Sequence, residues 1–203
     1  VTWDREFDDA SDIESRMYAL PDAIEEYLRS APKKPYLSCE YMHSMGNSVG
    51  GLQLYTALES YPEYGGGFMW DLVDQALYHE ATAASGGEFL AYGGDFGDRP
   101  CDWEFSCDGI LFADRTPKPQ AQAVKALYSP VTLTPSSDGI AVSAVALPAP
   151  ASDLCIRARV LADGEVAWEE TYEAVAAPGE VRAVAVGWPS GLLADTQREI
   201  ILE

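Results

Sequence analysis

Glu40 closes a compact apolar run, Tyr36-Leu37-Ser38-Cys39-Glu40, and precedes a loop rich in Gly, Asn and Ser. In a parallel βα barrel, residues at the C-terminal ends of the strands face the active site. A carboxylate there serves as nucleophile, general acid/base or metal ligand, or simply as a solvated or ion-paired strand end. His43 follows on the loop, where a lone histidine is usually structural. Gly46-Asn47-Ser48-Val49-Gly50 fits the G-x-S-x-G pattern of a serine nucleophile elbow. That reading needs the serine on a sharp strand-to-helix turn, with an Asp and then a His downstream. The strand run ends well before Ser48, and only His79 follows, too soon. The four cysteines, Cys39, Cys101, Cys107 and Cys155, form neither a CxxC pair nor a zinc-ribbon spacing. They read as buried or half-buried free thiols of a reducing compartment, and nothing supports a Cys101–Cys107 bridge. Two histidines are too few for a histidine-rich metal site.

The elements that would position Glu40 follow from breaker residues and periodicity. Ile13 to Ala19 reads as a short extended run. Pro21-Asp22 opens a helix through Arg29, with acidic residues early, as the helix dipole favours. Pro32 and Pro35 end it and lead into the Glu40 strand. Leu52 to Tyr61 has helical spacing, with Leu54, Leu58 and Tyr61 on one face, and Pro62 stops it. Gly67-Phe68-Met69-Trp70 is the next strand. Strands alternating with helices argue for parallel βα units. Gln75 to Arg115 is a long irregular stretch of the kind that often carries function. Pro119 to Tyr128 completes this region as a helix.

Near Ser129-Pro130 the pattern changes to period two. Strands are expected at Ile140–Val145, Leu154–Val160, Val166–Tyr172, Val181–Val186 and Arg198–Leu202, with a hairpin turn at Ala162-Asp163-Gly164-Glu165. Short strands at this spacing suggest a β-sandwich. The chain stops directly after an apolar run, so the sandwich is expected to lack its closing strand.

Composition narrows the partners. Apolar residues make up 47% of the 203, enough for a packed core and far from a disordered composition. A formal net charge of −20 repels phosphate backbones and anionic lipid, which argues against nucleic-acid and membrane-surface partners; a neutral sugar fits better. No apolar run reaches the ~18 residues of a membrane span. Val1-Thr2-Trp3-Asp4-Arg5 lacks an initiator Met and the features of a signal peptide, so a cytoplasmic chain, processed or excerpted from something longer, is expected.

The neighbours of Glu40 sharpen its role. Cys39-Glu40-Tyr41-Met42-His43-Ser44-Met45-Gly46-Asn47-Ser48 resembles the nucleophile motif of the β-galactosidases of glycoside hydrolase family 2, C-E-Y-x-H-x-M-G-N-S, at every fixed position. Gly66 to Gln75, Tyr92 to Asp98 and Asp108 to Pro117 are similar to later blocks of that family, in the same order. The resemblance is strong from Asp12 to Tyr128 and weaker beyond.

It implies an α/β plus all-β chain: residues 1–128 as the C-terminal part of a (β/α)8 TIM barrel carrying the nucleophile, about three of its eight βα units, and 129–203 as an immunoglobulin-like β-sandwich. It implies Glu40 as catalytic nucleophile, Tyr18 as the tyrosine beside it, and His43, Trp70 and Asp108 as contacts to galactose. Phe105 and Asp108 match a monovalent-cation site, through a main-chain carbonyl and a side-chain oxygen; well-known members carry Asn at the second place. Mg²⁺ and Na⁺ or K⁺ are expected for the complete enzyme, with the Mg²⁺ ligands outside this chain. The family's acid/base glutamate lies in an N-E motif on an earlier strand, and no such block precedes Tyr18. The expected partners are a β-galactoside, the remaining domains of a parent enzyme, and further copies that could cover the open barrel edges. The rival class is a non-catalytic carbohydrate-binding or structural module.

Overall fold

The structure, a computed structural model, describes residues 11–80, 86–136, 138–144, 151–176, 179–189 and 198–202. The expectations about Val1–Arg5 and Val145 lie outside the described residues. The chain divides into two compact units, 1–128 and 129–203.

In the first unit, β1 (Glu14–Met17), β2 (Tyr36–Tyr41) and β3 (Tyr64–Met69) form a parallel sheet in that order. Helix α1 (Pro21–Arg29) connects β1 to β2. Pro21 occupies its first turn with Asp22, and Arg29 its last, in the order the dipole favours. Ile24 and Leu28, one turn apart, are its buried face. Helix α2 (Leu52–Thr56) and a 3₁₀ turn (Ala57–Ser60) connect β2 to β3. The apolar face of this connection is Leu52, Tyr55 and Leu58, whereas Leu54 is exposed. Of the expected face, Leu58 is buried and Tyr61 packs against the core, so only Leu54 is misplaced: Leu52 at the helix start sets the buried side, and the tightened last turn keeps a spacing of three.

Gly67 explains how closely β2 and β3 approach. A Cβ there would lie 2.8 Å from Ser38 Cβ and 3.1 Å from the Tyr41 ring, so no larger residue fits. The strand begins three residues before the expected Gly67, at Tyr64, whose ring stacks on Tyr36 at 6.2 Å. The core of this unit combines Ile24, Leu28, Leu52 and Leu58 with Tyr36, Tyr41 and Tyr55. Tyrosine is admissible there because each hydroxyl finds a partner: Tyr55 donates to the Ala19 carbonyl, Tyr36 accepts from Ser38, and Tyr41 meets the Tyr128 hydroxyl.

Strand β2 is irregular at its functional end. Between Arg16 and Met17, β1 advances one residue while β2 advances two, from Ser38 to Glu40. Between Gly67 and Met69, β3 advances two while β2 advances three, from Ser38 to Tyr41. Over this stretch β2 carries one extra residue, a bulge at Cys39-Glu40; against β3 it is offset by an extra residue in β3 between Tyr64 and Gly67.

The long stretch expected to be irregular contains a short hairpin, β4 (Leu77–His79) with β5 (Phe89–Ala91). It also contains a third parallel contact, in which 108–111 runs beside 71–74 through Asp71 N–H to the Asp108 carbonyl and Ile110 N–H to the Asp71 carbonyl. Helix α3 (Ala121–Leu127) follows.

The second unit is antiparallel. Strands β6 (Val131–Ser136), β7 (Gly139–Ala144) and β10 (Val181–Ala185) form one sheet in the order β10-β7-β6. Strands β8 (Ala151–Ala162), β9 (Glu165–Ala176) and β11 (Arg198–Leu202) form another, in the order β11-β8-β9. Strand β6 was not among the expected strands; its Pro135 sits in the edge strand of its sheet, where a missing N–H is tolerated. Ile140 and Val142 from one sheet share an apolar core with Ile156 and Ala158 from the other. Asp163 and Gly164, both at positive φ, turn the β8–β9 hairpin.

Candidate active site

Three chain segments converge beyond the C-terminal ends of the parallel strands. Tyr18 follows β1, Glu40 lies in the β2 bulge, and His43 follows β2. The Tyr18 N–H donates to the Glu40 carbonyl at 2.9 Å, which locks the two strand ends together. The Tyr18 phenol lies close enough to the Glu40 carboxylate for the two to interact. Partial burial first, then that interaction and the negative charges of Glu40 and Asp108, push the phenol from its ordinary 10.0 up to about 12. It therefore stays protonated and able to donate to Glu40 throughout the neutral range.

His43 joins this pair to the segment at 105–108. Its ring lies 6.2 Å from the Tyr18 ring and 5.9 Å from the Phe105 ring. Its Nε2 is 3.1 Å from Asp108 Oδ1. The contact has the distance of an ion pair but not the alignment of a hydrogen bond, so Oδ1 is buried without a satisfied donor among the described residues. Asp108 is 2% exposed, unusual for a carboxylate with so little support. Trp70 reaches the same end through its main chain: its N–H donates to the Tyr41 carbonyl at 3.0 Å, its carbonyl accepts from Ser44 N–H at 2.7 Å, and a cis peptide joins it to Asp71.

The structure thus gathers Tyr18, Glu40, His43, Phe105 and Asp108, and places the Trp70 backbone alongside. Several features here carried no signal that pattern reading could use. Tyr18, Met42 and Cys107 adopt left-handed backbone at φ +53°, +53° and +66°, one at each converging segment. Side-chain-bearing residues are rare in that region, and such strain collects where a site over-determines the backbone. The buried ion pair of Asp74 with Lys118, at 2.6 Å, also escaped notice, because its members are 44 positions apart.

Other expectations change. Cys39, Cys107 and Cys155 are exposed rather than buried, and Cys101 is half-buried; all four are free thiols. Cys39 faces outward because its neighbour Ser38 takes the buried side of β2. Ser48 has a buried hydroxyl without a hydrogen-bond partner, while His43 faces Asp108 and His79 stacks on Phe89 and Phe96. No histidine activates Ser48, so the elbow reading fails. A cavity of about 560 Å³ lies beside the β4–β5 hairpin, lined by Asp74, Gln75, Tyr92, Phe96, Asp98 and Phe105. It meets the Glu40 cluster only through Phe105.

An orphaned buried carboxylate oxygen is the kind of atom that a bound ion satisfies. The Asp108 carboxylate supplies a hard oxygen donor of the kind alkali cations take. Among the described residues, no group of three or more His, Cys, Asp or Glu could hold a metal ion. No helix among the described residues is long and apolar enough to cross a membrane.

Comparison with known proteins agrees with this geometry. Residues 1–133 match the family model described as glycosyl hydrolases family 2, TIM barrel domain. The chain is 49% identical over 206 residues to "Beta-galactosidase BgaC" of Bifidobacterium adolescentis, covering 98% of this chain and 19% of that protein. It is 48% identical to a β-galactosidase of Streptococcus thermophilus, covering 89% of this chain and 19% of the relative. It is 55% identical over 123 residues to the "Beta-galactosidase large subunit" of Lactobacillus helveticus, covering 60% and 19%. The chain spans 19% of the length of each of these relatives. A parallel sheet whose strand ends gather a carboxylate, a phenol and a histidine, together with these matches, places the chain in glycosyl hydrolase family 2, with residues 1–133 in that family's TIM-barrel domain.

Proposed function

We propose that this chain carries the nucleophile side of a retaining β-galactosidase acting on terminal β-D-galactosides such as lactose. The observation that supports it most is the Glu40 carboxylate, re-aimed by a bulge and held by a phenol that keeps its proton. A retaining glycosidase places two carboxyl groups ~5–5.5 Å apart. Glu40 attacks the anomeric carbon, forming a carbon–oxygen bond as the bond to the leaving oxygen breaks. The proton for that oxygen comes from a general acid outside this chain. Water then attacks the same carbon, releases Glu40, and returns a proton to that acid. Throughout, Tyr18, which keeps its own proton, orients Glu40 by donating to the carboxylate. His43, Asp108 and Trp70 shape the galactose subsite.

Asp108 and the Phe105 carbonyl are the residues that would hold Na⁺ or K⁺, and the cation would supply a fixed positive charge beside the sugar's hydroxyls. Mg²⁺ belongs, in this reading, to segments outside the chain. Residues 129–203 form an immunoglobulin-like sandwich, supported by two sheets that share one core. The partners are the remaining domains of the enzyme and further copies of it, in the cytoplasm. "Large subunit" in the Lactobacillus helveticus relative's name supports an enzyme assembled from parts.

The direct test is to trap the glycosyl-enzyme. In the full-length polypeptide, a fluorinated galactoside with a reactive leaving group leaves a covalent adduct on the Glu40 peptide, read by mass spectrometry. An adduct elsewhere, or none with an active enzyme, removes Glu40 from the mechanism. The 203-residue chain alone shows no turnover of a nitrophenyl galactoside; rates like those of the complete enzyme would refute the need for an outside acid.

A further inference from the structure

The Asp74–Lys118 pair lies just behind the cluster and touches no reacting atom. Its bonds fall in an order that singles out one residue. Lys118 Nζ donates to Asp74 Oδ1 at 2.6 Å and to the Cys107 carbonyl at 2.9 Å. The same Asp74 oxygen accepts the Gly109 N–H at 2.9 Å. One ion pair therefore grips the residue before Asp108 and the residue after it. The main chain of Asp108 is held as well, its carbonyl accepting from Asp71 N–H.

The gripped backbone is not one the chain adopts at rest. Cys107 is left-handed at φ +66°. Gly109 comes so close to 71–74 that a Cβ would fall 2.3 Å from the Asp74 nitrogen. Both partners are nearly buried, with side chains 9% and 7% exposed, so salt and water weaken the pair little. Past this grip, the Asp108 carboxylate points at His43.

We propose that Asp74 and Lys118 are positioning residues: they hold 107–109 in the strained form that aims Asp108 at His43, and thereby set the affinity of the galactose subsite. This rests on the galactosidase reading above. It makes the ion pair act through Asp108, which a purely stabilising role would not require.

The test is a mutant cycle in the full-length polypeptide, with a nitrophenyl galactoside as substrate and galactose as competing ligand. Lys118→Met lowers kcat/KM by about tenfold, mostly through KM, with a matching loss of galactose affinity. In an Asp108→Ala background the same substitution changes kcat/KM by less than about twofold, because the residue it positions is gone. An equal effect in both backgrounds, or no effect in either, overturns the proposal. Where Lys118→Met yields no folded protein, Asp74→Asn/Lys118→Met takes its place, since it leaves no unpaired buried charge and keeps an acceptor for Gly109. Failure of both to fold assigns the pair to stability alone and also overturns the proposal. Glu40→Gln, run in parallel, tests the galactosidase reading separately: activity surviving there sinks that reading, whatever the cycle shows.

Discussion

The two units use left-handed backbone for different ends. In the second, the described side-chain-bearing residue with positive φ is Asp163, in a tight hairpin whose Asp-Gly pair suits that conformation. In the first, Tyr18, Met42 and Cys107 adopt it where no turn chemistry invites it, and all three flank the carboxylate cluster. The contrast extends to buried polar groups. The first unit buries Asp74, Asp108 and Lys118, while the described core of the second is Ile140, Val142, Ile156 and Ala158 with apolar neighbours. Ala31, Val49, Trp103 and Arg115 of the first unit also lie at positive φ, so such backbone is not confined to the cluster, but three of these departures meet at the carboxylates the unit has to position.

The largest test of that contrast is Glu40→Gln in the full-length polypeptide. It lowers kcat by at least about a thousandfold, roughly 4 kcal/mol of barrier. Retained activity would mean that the irregular end of the first unit positions nothing. Next comes stability. Lys118→Met leaves Asp74 charged and unpaired, and lowers the unfolding free energy by about 3–5 kcal/mol, read from urea transitions. A change near zero would place the pair in contact with water and weaken the contrast between the units.

Tyr18→Phe removes one hydrogen bond to a charged group, worth about 1.5–3 kcal/mol, and lowers kcat roughly ten- to hundredfold. Its pH behaviour sharpens the point. Phenolate absorbance assigned by difference against Tyr18→Phe shows no ionisation of Tyr18 near its ordinary 10.0 and a transition near about 12. In Glu40→Gln the transition moves down only part of the way toward 10.0, because burial, the largest cause, remains while the Glu40 charge is gone. The smallest effect belongs to the second unit. Tyr172→Phe deletes an exposed hydrogen bond to Glu170, 2.7 Å long, and changes stability by less than about 0.5 kcal/mol.

Much of the first unit was legible because prolines punctuate it. Pro21 and Pro32 bracket α1, Pro35 opens β2, and Pro62 ends the α2 connection, so boundaries follow from chain chemistry. In the second, alternation made β7 to β11 visible; β6 was not among them, and whether its Pro135 is tolerated depends on which strand lies at the edge. That Tyr18, Glu40, His43, Phe105 and Asp108 come together was expected from the motif and its resemblance, since Tyr18 and Asp108 share no local pattern with Glu40. The bulge left no mark, because an extra residue in β2 exists only relative to its neighbours. The Asp74–Lys118 pair left none either, as charge pairing across 44 positions has no period.

The bulge has a consequence for how this strand tolerates change. Side chains along a strand alternate, so one residue is worth half a turn of direction. Shorten β2 by Cys39 and the strand can pair evenly with β1, a more regular edge. The carboxylate at 40 would then follow the buried Ser38 directly, take the outward place that Cys39 now holds, and leave its present position beside Tyr18. Geometry at the strand's end is thus written as a count of residues, and an in-frame deletion too small to disturb the core would erase it.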